Sequence, residues 1–81
     1  MRAVIHGVVV GSRRYESQRG EVRGELAFRT DGAQSGLVAV DGSWSDVEPL
    51  GSGDRVGLNV DIRVRGGELV VFLREVLPAA L

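Results

Sequence analysis

Hydrophobic and polar positions alternate without a break from Asp54 to Arg65. Val56, Leu58, Val60, Ile62 and Val64 hold one parity; Arg55, Gly57, Asn59, Asp61, Arg63 and Arg65 hold the other. Side chains alternate faces along a strand, so this segment predicts a strand with one buried face. Gly66-Gly67 then makes a two-residue turn, and Glu68–Leu77 returns as its partner. So short a turn fixes the register, because a slip of one residue would flip every side chain. The predicted core face pairs Val64 with Leu69, Ile62 with Val71 and Val60 with Leu73. The opposite face pairs Arg63 with Val70, Asp61 with Phe72 and Asn59 with Arg74, and also carries Val76.

Upstream, Glu21–Arg29 alternates as well. Val22, Gly24, Leu26 and Phe28 form the inward set; Glu21, Arg23, Glu25, Ala27 and Arg29 form the outward set. The first apolar run, Ala3–Gly11, is nearly continuous, so its two faces cannot be separated by alternation. A polar stretch, Ser12–Gly20, reads as a long hairpin tip between the first two strands. Thr30–Gln34, with Asp31-Gly32, is a turn signal, and Ser35–Val40 is a third short strand ended by Asp41-Gly42. Residues 43–53 form a connector. Ser43 with Asp46 and Ser45 with Glu48 have capping-box spacing, and Pro49 limits any helix to one turn. Short β-branched runs punctuated by 12 Gly and 2 Pro predict an all-β barrel or sandwich in a single domain, 1–81.

A chain of 81 residues buries only about 60% of the surface its unfolded form exposes, and oligomerisation is one common remedy for the thin stability that results. No apolar run approaches the ~20 residues of a membrane helix. No Cys is present, so disulfides and thiolate metal sites are excluded. The expectation is a cytoplasmic protein that acts without a membrane. Net charge is −1, but its distribution is uneven. Residues 1–29 hold six Arg against three Glu, whereas residues 30–53 hold four acids and no Arg. Such asymmetry can leave a basic patch on a neutral protein.

The candidate chemistry is that of binding. Arg13, Arg14 and Tyr15, with Arg19, lie in the expected hairpin tip, where guanidinium groups can contact phosphate while the ring stacks on a base. Phe72 falls on the polar face among Arg63, Arg74 and Asp61. That placement suits base stacking, suits a dimer interface enriched in aromatics and Arg, and is equally met if the connector or another strand covers the ring. Arg29 joins the outward face of the second strand. Trp44, beside Asp41 and Asp46, is expected to plug one end of the barrel. His6 is alone in an apolar strand and reads as structural, with no metal site. Asp41, Asp46 and Glu48 read as a solvated acidic loop. No nucleophile, base and orienting residue can be placed together, so neither catalysis, a cofactor nor a small-molecule substrate is expected.

The strand order, a long first strand, a hairpin, a third strand, a connector and a closing hairpin, matches the five-stranded OB barrel with a reduced or absent β3–β4 helix. The phrase Leu50-Gly51-Ser52-Gly53-Asp54-Arg55-Val56 looks like the Gly-Asp-x-Val lead into the fourth OB strand. Taken with the Arg/Tyr-bearing first hairpin and a closing hairpin that ends near Pro78, the chain resembles the small single-stranded-DNA-binding proteins of filamentous phages and related mobile elements. The resemblance implies a homodimer that coats single-stranded DNA, or RNA, without sequence preference, in a setting such as DNA replication. By position, Arg13, Arg14, Tyr15 and Arg19 match that family's basic hairpin, and Phe72 matches an aromatic on its closing hairpin. The chain departs from the family in having one Tyr, no Lys and a mildly acidic balance. The acidic middle third and the apolar outward set Val70, Phe72 and Val76 give the alternative: a protein-binding barrel acting as an assembly subunit or adaptor.

Overall fold

The computed structural model describes residues 1–32 and 36–78. Five strands run in the order β1 (Arg2–Glu16), β2 (Val22–Thr30), β3 (Leu37–Ser43), β4 (Arg55–Arg65) and β5 (Glu68–Leu77), with one helical turn, α1 (Trp44–Val47), between β3 and β4. They close into a barrel with neighbours β1-β2-β3-β5-β4, an all-β, OB-like architecture. No helix among the described residues is long and apolar enough to cross a membrane.

The closing hairpin forms as its alternation dictates. Both turn glycines have positive φ (Gly66 58°, Gly67 82°), which a two-residue type I′ turn demands and side chains disfavour. The expected pairs from Arg65–Glu68 down to Val60–Leu73 are all present. The ladder then slips. Asn59 pairs with Glu75, not Arg74, and Val76 pairs with Leu58. Arg74 is the extra residue of this bulge, so Val76 turns inward and packs on the core instead of joining the polar face. Val64 and Leu69 depart from expectation in the other direction. They sit opposite each other, but 68% and 73% exposed, because the hairpin tip projects beyond the barrel.

Strand β1 is longer than its apolar run, reaching Glu16, and the tip that follows is only Ser17–Glu21. Arg13, Arg14 and Tyr15 are therefore strand residues. The first half of β1 pairs with β4 and the second with β2, with a slip between Val9 and Gly11. Strand β3 begins at Leu37 and runs through Asp41-Gly42 to Ser43, so the dipeptide expected to end it is paired within the sheet with β2. The turn expected at Thr30–Gln34 lies in part outside the described residues.

The core comprises Val9, Leu26, Phe28, Val40, Val47, Leu58, Val60 and Leu73. Val22, expected inward, is exposed at the open end of β2. Two glycines, Gly24 and Gly42, face each other across β2 and β3. A Cβ on Gly24 would lie 2.8 Å from Val47 Cβ, and one on Gly42 would lie 3.1 Å from Leu73 Cβ. The bare backbone is the floor on which α1 seats Val47, and Trp44 is partly buried against the same core. The Ser43–Asp46 spacing makes a side-chain bond, Ser43 Oγ donating to Asp46 Oδ2 at 2.9 Å, but no side-chain cap to the helix backbone.

Gly24→Ala forces Val47 off its seat and is expected to cost about 1–3 kcal/mol, the range for overpacking a core. Gly11→Ala, where a Cβ meets nothing within 4 Å, is expected to be near neutral. Urea unfolding of the two variants beside the parent checks the contrast.

Candidate nucleic-acid interface

The slip at Val10 reverses which parity of β1 faces out. Ala3, Ile5, Gly7 and Val9 face inward, whereas Arg13 and Tyr15, also odd-numbered, pair with the outward Glu25 and Arg23. Tyr15 is consequently placed on the outer barrel wall. Arg14 pairs with Gly24 and takes the opposite face, away from Arg13 and Tyr15.

A second outward row crosses the barrel from strand to strand: Arg13 opposite Glu25, Glu25 opposite Asp41, Asp41 opposite Phe72, Phe72 opposite Asp61. This row brings the first and last strands to one surface. Tyr15, Arg19, Arg23, Asp41, Arg65 and Phe72 share one open cleft of about 360 Å³. On one side it adjoins a depression of about 270 Å³ walled by Asp61, Arg63, Phe72 and Arg74. On the other it adjoins one of about 210 Å³ between Glu25 and Ala39 and the Leu69–Val71 edge. None of the three is lined by the 43–53 connector, so Phe72 is not covered by it.

Each ring in the cleft is partly exposed and carries guanidinium groups. Arg13 Cζ lies 5.4 Å from the Tyr15 centroid; Arg65 and Arg63 lie 5.3 and 6.0 Å from that of Phe72. These distances fall within cation–π range, roughly 6 Å. Tyr15 is further held by its hydroxyl, which donates to Asp41 Oδ1 at 2.8 Å, while Arg23 approaches Asp41 Oδ2 at 3.5 Å. Burial and the Asp41 bond push the Tyr15 hydroxyl pKa upward, since both favour the neutral phenol. Asp61 is 8% exposed and receives Arg63 Nε at 2.8 Å and the Met1 amine at 3.3 Å. The Arg63 bond is the main reason its carboxyl is held below the ordinary aspartate range.

Of the residues expected in a site, Arg13, Tyr15, Arg19, Arg63, Phe72 and Arg74 meet on this surface. Arg29 instead flanks a separate depression with Val8–Val10, Ser52 and Gly53. His6, expected to be a structural strand histidine, has its side chain at the surface, with the ring edge against Gly57. The cleft also holds residues outside the expected set, among them the charged Glu21, Arg23, Asp41 and Arg65. Alternation puts Arg23 on the outward face of the second strand and Arg65 on the outward face of the fourth. There Arg23, with Arg29, suits either a groove across the barrel or a charged face neutralised by Glu21 and Glu25. Asp41 belongs to β3 and not to an acidic loop, because the strand runs on through Asp41-Gly42 to Ser43.

No family profile matches the chain, and no curated protein matches its sequence. Solved structures do match its shape. Two crystal forms of the mitochondrial single-stranded-DNA-binding protein Rim1 from S. cerevisiae superpose with TM-scores of 0.81 and 0.78. They cover 94% of this chain and 91% and 90% of theirs, at 10% and 9% identity. The shared property is the OB-like barrel itself.

Tyr15 is the only tyrosine, so its ionisation can be followed by phenolate absorbance. The midpoint is expected above the ordinary value of about 10, falling part of the way back in Asp41→Asn. Because the native pKa is raised, the associated stability is full below the unfolded value and is lost as pH climbs through the native one.

Proposed function

We propose that the barrel binds single-stranded DNA, or RNA, in the cleft between Tyr15 and Phe72, with little dependence on overall sequence. The observation that carries this reading is two partly exposed rings, each dressed with guanidinium groups, lining one groove on an OB-like barrel. Rings of this kind stack on any base, because every base has a π-face. Among the described residues, Arg19, Arg65 and Arg74 form no ion pair, which leaves them for phosphate. The same chemistry is what the resemblance to the phage-type proteins implies, and the fold shared with Rim1 supports it.

A homodimer is the proposed assembly. Met1, Val64 and Leu69 are large apolar side chains, each more than two-thirds exposed, and the latter two face each other on the projecting tip. Apolar surface so placed also supports the reading of a protein-binding adaptor.

Fluorescently labelled dT oligomers titrated at two salt concentrations test the proposal. Three phosphate contacts predict a slope of log K on log salt near about −2 for a single strand. Phe72→Ala and Tyr15→Ala are each expected to weaken binding by about tenfold or more, the loss of one stacked base. Absence of binding at low salt to oligomers of any base, with a dimer persisting in sedimentation, would replace this reading with the adaptor.

A further inference from the structure

Asp41 is a carboxylate in a groove whose walls also carry Arg19, Arg23 and Arg65, with Glu21 as the other acid. It sits opposite Phe72 in the ladder and within hydrogen-bond distance of Tyr15, so it lies between the two rings on which bases would stack. Its side chain is 24% exposed. An ionised carboxylate offers about four acceptor positions and no donor. Tyr15 occupies one at 2.8 Å, and Arg23 stands off at a loose 3.5 Å. Acceptor capacity therefore remains toward the cleft.

Resting on the binding function proposed above, we infer that Asp41 is a specificity-determining residue that selects amino-bearing bases over thymine. Its charge repels phosphate, so a strand lying in the groove turns its phosphates toward Arg19 and Arg65 and its base edges toward Asp41. At that position the carboxylate accepts from the N4 amino group of cytosine or from the adjacent N1–H and N2–H of guanine. Thymine presents two carbonyl oxygens flanking its single N–H, and those oxygens repel the carboxylate. The preference acts at one base of the bound strand and leaves the others unread.

The test compares dC and dT oligomers of equal length, and a dT oligomer with one central guanine, against the parent, Asp41→Asn and Tyr15→Phe proteins at fixed salt. Circular dichroism confirms that each variant is folded. The parent is expected to bind dC and the guanine-containing strand about 5- to 10-fold tighter than dT. Asn, which offers a donor as well as an acceptor, is expected to reduce that ratio to within about twofold of unity, mainly by strengthening dT binding. Tyr15→Phe is expected to keep the ratio, because the carboxylate remains. If Asp41 only positions Tyr15, Asp41→Asn weakens all three strands by one common factor, and the inference fails. Equal binding of dC and dT by the parent overturns it without the variants. Loss of all binding in the parent instead removes the underlying function, so the two failures are distinct.

Discussion

Strand β1 serves two partners, β4 along Arg2–Val8 and β2 along Gly7–Glu16, and a single extra residue at Val10 lets it present different parities to each. Without that slip the inward odd positions of Ala3–Val9 would continue into the second half. Arg13 and Tyr15 would then take the face on which Arg14 now lies, away from Glu25, Arg23 and Asp41. The bulge also bends the strand, as extra residues in a ladder do, so β1 can turn the corner of the barrel. The outward cleft, the Tyr15–Asp41 bond and the cation–π pair on Tyr15 all follow from this one irregularity. The bulge at Arg74 does the equivalent for β5, returning Val76 to the core after Phe72 has faced out.

These two slips also mark where sequence reading stops. Alternation in β4 and the Gly-Gly turn were sufficient to place Phe72 opposite Asp61 and among arginines, because nothing interrupts the ladder between the turn and Val60. Strict alternation failed for Val76, three residues past Leu73, because the polar pair Arg74-Glu75 occupies one step of the ladder and shifts the parity beyond it. In β1 the run Val8-Val9-Val10 hides its own irregularity, since each position is equally at home in the core. The projecting tip was hidden for a different reason. Val64 and Leu69 continue the core pattern perfectly, yet the barrel wall has ended, and the length of a neighbouring strand is not written in the local sequence. Asp41 was missed because Asp-Gly is a strong turn signal that the sheet overrode by pairing it with Glu25 and Gly24.

Near-neutral charge and an arginine-rich groove are reconciled by local pairing. Glu25, Asp41 and Asp61 each hold one arginine, fixing Arg13, Arg23 and Arg63 on the barrel wall. Of these, the exposed Arg13–Glu25 pair contributes little stability. The effect of the three pairs is positional: they orient guanidinium groups beside the two rings, while Arg19, Arg65 and Arg74 stay open to solvent. Acids from three strands, Glu25 on β2, Asp41 on β3 and Asp61 on β4, thus shape the groove.

The barrel is closed between β3 and β5 by only two parallel pairs, Val40 with Val71 and Asp41 with Phe72, whereas every other seam has seven or more. Proteins open first where few backbone bonds must break, which makes this seam the hinge line of the cylinder. Half of it is made by residues of the groove. Any ligand that bridged Tyr15 and Phe72 would straddle this line and act as a clasp across it.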